Sequence, residues 1–182
     1  MIKILVTGVF ASGKTSFIYL LKKELENNKK KVAFFSEVAR ECPFKLNHEQ
    51  TITSTSWLVM RQIENEMIKL DSDYDFIIYD RGIPDIVAHA QLSEKKIDGY
   101  ELFLNQLERL GKESLKKFDF IFLSKRSDSM SIVTDSIRID DSAYQRELEH
   151  VHINYLKNTS SEFIILHEFN KDRIEQVMSL LI

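Results

Sequence analysis

An α/β fold, built as three layers with a parallel sheet in the middle, is what this sequence predicts. Three observations carry that prediction. Five short apolar runs are near-continuous rather than alternating, as in strands buried on both faces. Segments with helical periodicity lie between those runs, which calls for parallel pairing with crossovers. Glycine and proline are scarce, at five and two, and they gather where apolar runs end: Gly8 and Gly13 near the start, Gly82 and Pro84 in mid-chain.

The predicted strands are Ile2 to Thr7, Lys31 to Ser36, Tyr74 to Asp80, Phe118 to Ser124 and Glu162 to His167. A helix over Phe17 to Leu25 follows the first. Met60, Ile63, Met67 and Leu70 fall at helical spacing, as do Ile97, Tyr100, Leu104 and Leu107. Tyr144, Leu148, Val151 and Tyr155 form a further stripe behind an Asp140-Asp141 start signal. A last helix is expected over Asp172 to Leu181. In such sheets ligands bind at the carboxyl ends of the strands, so the residues there are the ones to inspect.

Composition narrows the classes. At 182 residues the chain has the length of one ordinary domain, and 1–182 is read as a single domain. Hydrophobic residues at 43% and charged residues at 29% exclude a disordered or fibrous chain. Twenty-five Lys and Arg against 28 Asp and Glu leave a net charge of −3, which argues against a general nucleic-acid or membrane binder. The single Cys42 can build neither an internal disulfide nor a cysteine zinc site, and it fits a reducing, cytoplasmic setting. No apolar run reaches the ~20 residues of a membrane span, and MIKILVTG lacks a signal-peptide layout.

The first strand runs into Gly8-Val9-Phe10-Ala11-Ser12-Gly13-Lys14-Thr15, which is G-x-x-x-x-G-K-[ST] without deviation. Backbone N–H groups of a glycine-permitted loop can turn inward and bind a polyphosphate, and the following helix adds the positive end of its dipole. Lys14 can reach the β- and γ-phosphates of ATP, and the Thr15 hydroxyl can ligate Mg²⁺. Gly8, Ala11, Ser12, Gly13, Lys14, Thr15 and Ser16 are therefore the candidate nucleotide contacts. The alternative is a glycine turn before an ordinary helix.

The third strand delivers Asp80 to the same edge, a second candidate Mg²⁺ ligand opposite Thr15 or else a cap on the next helix. Arg81, one residue beyond, suits the charge developing on a transferred group, or a structural pair with Asp80 or Asp85. The second strand presents Glu37, a carboxylate able to orient or deprotonate an acceptor hydroxyl, with Arg40 three residues on; these two also fit a simple surface pair. Trp57 and Arg61 share one helix face and could line an acceptor pocket, although a lone Trp is often core. The polar stretch from Lys125 and Arg126 to Met130 and Ser131, with Arg138 downstream, suits a lid over about 125–139 that brings Arg126 or Arg138 onto the phosphates; a solvated loop is the alternative. His167-Glu168-Phe169 stands where a donor base could be touched, and no histidine belongs to a metal-ligand constellation.

On these residues the chain resembles the P-loop kinases of nucleosides and nucleotides. More narrowly it is similar to the AAA-domain family of small predicted ATPases and kinases, which includes the ribosylnicotinamide kinase domain of bacterial NAD-metabolism regulators. The likeness rests on Gly8 to Thr15, on Glu37-Val38-Ala39-Arg40-Glu41, on Asp80-Arg81-Gly82-Ile83-Pro84-Asp85, and on Thr134-Asp135-Ser136-Ile137-Arg138, where Ser136 replaces a glycine. It implies a five-stranded parallel sheet of order 2-3-1-4-5, ATP with Mg²⁺, and transfer of the γ-phosphoryl group. It strengthens the roles of Glu37, Arg40, Arg81 and Arg138.

The leading expectation is an ATP- and Mg²⁺-dependent kinase of a small acceptor such as a nucleoside, a nucleotide or a related metabolite. Lys14, Glu37, Asp80, Arg81 and Arg138 would be catalytic, and Glu37, Arg40, Trp57, Arg61 and Arg81 would bind the acceptor. Two alternatives stand beside it. One is a nucleotide-binding ATPase or switch, although Asn170-Lys171-Asp172-Arg173 does not fit the guanine-reading Asn-Lys-x-Asp. The other is a kinase of nucleic-acid hydroxyls, which the net charge disfavours.

Overall fold

A computed structural model describes residues 1–70, 73–93, 99–127 and 141–182. Its five strands are β1 (Ile2–Thr7), β2 (Val32–Phe35), β3 (Phe76–Asp80), β4 (Phe120–Leu123) and β5 (Ile164–Ile165). All pairings are parallel, and the order across the sheet is β2-β3-β1-β4-β5. The helices are α1 (Lys14–Asn27), α2 (Ile52–Met67), α3 (Ile83–Leu92), α4 (Tyr100–Leu115), α5 (Ser142–Asn158) and α6 (Asn170–Leu181). Short 3₁₀ turns cover Val38–Glu41 and Asn47–Glu49.

Side chains alternate along β1 and divide the core in two. Ile4 and Val6 pack with Phe17, Leu21 and Leu25 of α1 and Val177 of α6. Leu5 faces the other side, with Ile77 and Tyr79 of β3, Leu115 of α4 and Leu156 of α5. Thr7 shares Leu5's parity and so meets α3 and α5. Because all five strands run the same way, the segments after each strand converge on one edge. Register puts Val6 opposite Asp80, so the loop after β1 and the turn after β3 start side by side.

Local chemistry sets the helix starts. Thr51 and Ser54 form a reciprocal capping box at α2, with Ser54 N donating to Thr51 Oγ1 at 3.2 Å and Thr51 N donating to Ser54 Oγ at 2.7 Å. Asp141 Oδ1 accepts from Tyr144 N at 2.9 Å and caps α5. At α3 the Asp85 carboxylate reaches back to Gly82 N at 3.0 Å, just after Pro84.

The predicted strands and helices are present among the described residues. Met60 and Met67 of α2 are 65% and 70% exposed. The face that α2 buries instead carries Ser54, Thr55, Leu58, Val59, Gln62 and Glu66. Its polar members are satisfied: Glu66 accepts from Ser114 Oγ at 2.9 Å and Lys117 Nζ at 2.9 Å, and Gln62 Nε2 donates to Glu66 at 3.3 Å. The apolar spacing that marks α2 as a helix therefore does not mark the face it buries. β2, β4 and β5 are each shorter than the apolar runs that predicted them. Ile97 and Asp140 lie outside the described residues.

Candidate active site

The loop between β1 and α1 is shaped by left-handed backbone at Ala11 (φ 53°) and Gly13 (φ 80°). Gly8 (φ 131°) is pressed against the end of β4, and a Cβ there would stand 2.2 Å from the Ser124 carbonyl oxygen. Among the described residues, no backbone N–H from Val9 to Ser16 donates to another protein group. Such a run of unspent donors at the start of a helix is an anion cradle. Lys14 Nζ folds back on the cradle, donating to Val9 O at 2.5 Å. Burial, followed by the positive charge of Arg81, lowers the Lys14 ammonium to about 7 against the pull of Asp80, Asp85 and Glu37.

Asp80 ends β3 beside this loop. Its Oδ2 accepts from Thr15 Oγ1 at 3.1 Å, while its Oδ1 is buried with no hydrogen-bond partner. Burial raises its carboxyl above the ordinary range, with Lys14 and Arg81 opposing and Glu37 adding to the shift. A buried carboxylate oxygen without a donor, next to a threonine hydroxyl and a phosphate cradle, is the donor set a hard, oxygen-preferring cation requires. Among the described residues, no three or more His, Cys, Asp or Glu are arranged to hold a metal ion by themselves.

Arg81 (φ 73°) follows in left-handed backbone, and its guanidinium is the hub of the site. Nε lies 2.5 Å from Glu37 Oε1. NH1 donates to Gly8 O at 2.7 Å and to Asp85 Oδ1 at 3.2 Å. Burial pushes the Glu37 carboxyl up, but Arg81 foremost, then Lys14 and Arg40, outweigh it and hold the group below the ordinary carboxylate range. Arg40 Nε stands 3.6 Å from Glu37 Oε2, nearer the rim. Beneath the hub, Asp85 also accepts from Thr7 Oγ1 at 2.7 Å and Gly8 N at 3.2 Å. His152 Nε2 lies 3.1 Å from the same Thr7 hydroxyl, and burial keeps that imidazole neutral, lowered to about 4.

Two clefts flank the cradle. The first, about 590 Å³ with its open mouth, starts at Glu37, Arg81 and Phe10 and continues past Leu58, Gln62 and His89. The second, about 670 Å³ with its mouth, lies after β4 and β5 among Arg126, Ser127, His167, Glu168 and Arg173. Arg173 joins it to the phosphate loop by donating to Ser12 O at 3.1 Å.

Of the residues singled out in sequence, the fold thus gathers Gly8 to Ser16, Glu37, Asp80 and Arg81 into one place, with Arg40 at its edge. Arg126 lines the second cleft. Trp57 and Arg61 stand apart from both. Trp57 packs against the apolar cluster of Val38 and Leu58, and Arg61 donates to Glu41 at 3.1 and 3.0 Å and to Glu64 at 2.5 Å. Their shared helix face is real, but it turns toward the 3₁₀ turn that carries Glu41. Arg138 and most of the expected lid lie outside the described residues. Sequence reasoning did not single out Gln62, His89, Gln145 or Arg173 for this region. Asp85 stood in the quoted Asp-Arg-Gly motif, whereas Gln145 and Arg173 are isolated polar residues with no local signal.

No curated protein matches the chain. Among solved structures, a deoxyadenosine kinase from M. mycoides, with dCMP and a flexible dCDP bound, is 16% identical at a TM-score of 0.68, covering 99% of this chain and 98% of that one. NadR in complex with NR is 16% identical at 0.72; the match covers 98% of this chain but only 50% of NadR. YorR from Bacillus subtilis, in complex with phosphorylated GDP, is 12% identical at 0.60, with 98% and 95% covered. These likenesses show a common fold. A family model described as an AAA domain matches residues 3–174, nearly the whole chain, and with it the chain belongs to the AAA-domain family.

Proposed function

We propose that the protein is an ATP- and Mg²⁺-dependent phosphotransferase that moves the γ-phosphoryl group to a hydroxyl or phosphate oxygen of a small acceptor. A nucleoside, a nucleotide or a related metabolite is the acceptor class. One observation carries the proposal: a buried carboxylate and a buried guanidinium, Glu37 and Arg81, stand between a phosphate cradle and a separate, mostly apolar cleft that continues past Leu58, Gln62 and His89. The solved structures named above with a deoxyadenosine kinase among them support the same reading at the level of fold.

The backbone donors of the loop and Lys14 would bind the triphosphate, with its base directed to the cleft lined by Arg126 and His167. Thr15 and Asp80 would hold Mg²⁺, which supplies charge neutralisation at the β- and γ-phosphates. Glu37, held ionised by Arg81, accepts the acceptor O–H and aims its oxygen at the γ-phosphorus. The new P–O bond forms as the bond to the β,γ-bridging oxygen breaks, ADP leaves, and the hydroxyl proton passes to Glu37. A carboxylate held below its ordinary range is a weak base, but a loose phosphoryl transition state asks mainly for positioning. Arg81 faces the charge spread over the equatorial oxygens. Residues 1–182 act as one domain, with 125–139 including Arg126 and Arg138 as its lid, in the cytoplasm. No described helix is long and apolar enough to cross a membrane.

The test is a panel assay. Purified protein is incubated with MgATP and, in turn, nucleosides, nucleoside monophosphates, nicotinamide riboside and short oligonucleotides. A small acceptor that raises ADP release and gains a phosphate supports the proposal. Stimulation by oligonucleotides alone favours the nucleic-acid alternative, and a basal rate unmoved by every acceptor favours an ATPase or switch.

A further inference from the structure

Anion cradles work only if their peptide planes are turned the right way. In a trans peptide the carbonyl of one residue and the N–H of the next point in opposite directions. Fixing a loop carbonyl outward therefore fixes the following N–H inward. Three side chains from three distant elements do this to the phosphate loop. Gln145 of α5, buried, donates its amide Nε2 to Phe10 O at 2.6 Å. Ser124, just past β4, donates its hydroxyl to Ser12 O at 2.7 Å. Arg173 of α6, only 1% exposed, donates NH1 to that same oxygen at 3.1 Å and Nε to His167 O at 2.6 Å. The N–H groups turned the other way are those of Ala11 and Gly13, the two loop residues in left-handed backbone. Neither donates to any described residue.

We infer that Gln145 and Arg173 are positioning residues for nucleotide binding: through Phe10 O and Ser12 O they hold the Ala11 and Gly13 N–H groups toward the bound phosphates. Neither touches the transferred group. The left-handed conformation at Ala11 costs conformational energy, so an unclamped loop relaxes away from the binding geometry. The guanidinium also polarises the Ser12–Gly13 peptide, which strengthens its N–H as a donor to an anion.

This inference rests on the phosphate-loop reading, and its experiment separates the two. MgATP and inorganic tripolyphosphate, which has no base, are titrated calorimetrically at 10 °C into the wild type and into Gln145→Leu, Arg173→Met and Ser124→Ala. Thermal melts of the free proteins are recorded alongside. The expected result is about ten-fold weaker binding of both probes in each variant, the size of one lost hydrogen bond. Binding that stays within two-fold while the melting temperature falls makes these residues merely structural and overturns the inference. Loss for MgATP but not for tripolyphosphate puts Arg173 on the base side and overturns it too. A wild type that binds neither probe refutes the phosphate-loop reading itself. Ser124→Ala removes one hydroxyl only, so it keeps the test alive if the larger substitutions fail to fold.

Discussion

Asp85 is the strongest test of how the site is held together. Its carboxylate accepts four hydrogen bonds, two per oxygen: Gly8 N and Arg81 NH1 on Oδ1, Thr7 Oγ1 and Gly82 N on Oδ2. Asp85→Asn keeps the shape but replaces one acceptor by a donor. The amide nitrogen will face Thr7, because that hydroxyl can rotate and accept, whereas Gly8 N and Arg81 cannot. Gly82 N is then left facing a donor, and Arg81 loses one of its two carboxylates. An orphaned buried N–H and a weakened charged bond together cost about 3–4 kcal/mol. With about 2.1 cal/mol/K of unfolding entropy per residue over 182 residues, the melting temperature should fall by about 8–11 °C. A thermal melt followed by circular dichroism at pH 7 reads this directly. A variant that melts within about 2 °C of the wild type refutes the view that Asp85 ties the phosphate loop to the turn after β3.

Other perturbations follow from the same geometry. Gly8→Ala drives a methyl into the Ser124 carbonyl and should cost at least about 2 kcal/mol and abolish nucleotide binding, as denaturant melts and calorimetry will report. The Lys14 proton is held less tightly in the fold (about 7) than in the unfolded chain (10.5), so its penalty on stability is full below pH 7 and fades as pH rises above it; the melting temperature of wild type minus Lys14→Met should climb from pH 7 to pH 9. Glu37→Gln should lower kcat by about 10²–10⁴-fold while MgATP affinity stays within a few-fold, in coupled-enzyme and calorimetric assays. Arg61→Ala should leave kcat and the acceptor KM unchanged, since its charge is spent on Glu41 and Glu64; a large rise in KM would return Arg61 to the acceptor site.

How far this was legible in the sequence depended on range. The phosphate loop, Asp80 and the strand-helix alternation are local patterns, and the rule that ligands sit at the carboxyl edge of a parallel sheet turned them into a site. Glu37 joined them because it follows β2 by two residues. Trp57 and Arg61 were placed by helix spacing, which gives a shared face but not the direction in which the face turns. The buried face of α2 was not legible for a related reason: Gln62 and Glu66 are buried by virtue of Ser114 and Lys117, partners some 50 residues away. Gln145 and Arg173 were invisible because each acts on a backbone carbonyl, and a carbonyl leaves no mark in the sequence.

Arg81 shows why the pieces belong to one device. A non-glycine residue at φ 73° carries a conformational cost of order 1–3 kcal/mol, and such strain survives only where surrounding contacts over-determine it. Here the left-handed turn comes directly after Asp80, where the chain must leave the sheet at once. The resulting direction lets one guanidinium reach a carboxylate at the first cleft, a carbonyl of the loop after β1 and a carboxylate at the start of α3. No single one of these contacts needs an arginine. A planar group with several donors is required when they are made together, because only then does moving the loop carbonyl at Gly8 move the partner of Glu37. The strain at Arg81 thus ties the loop after β1, the Glu37 carboxylate and the start of α3 to a single side chain.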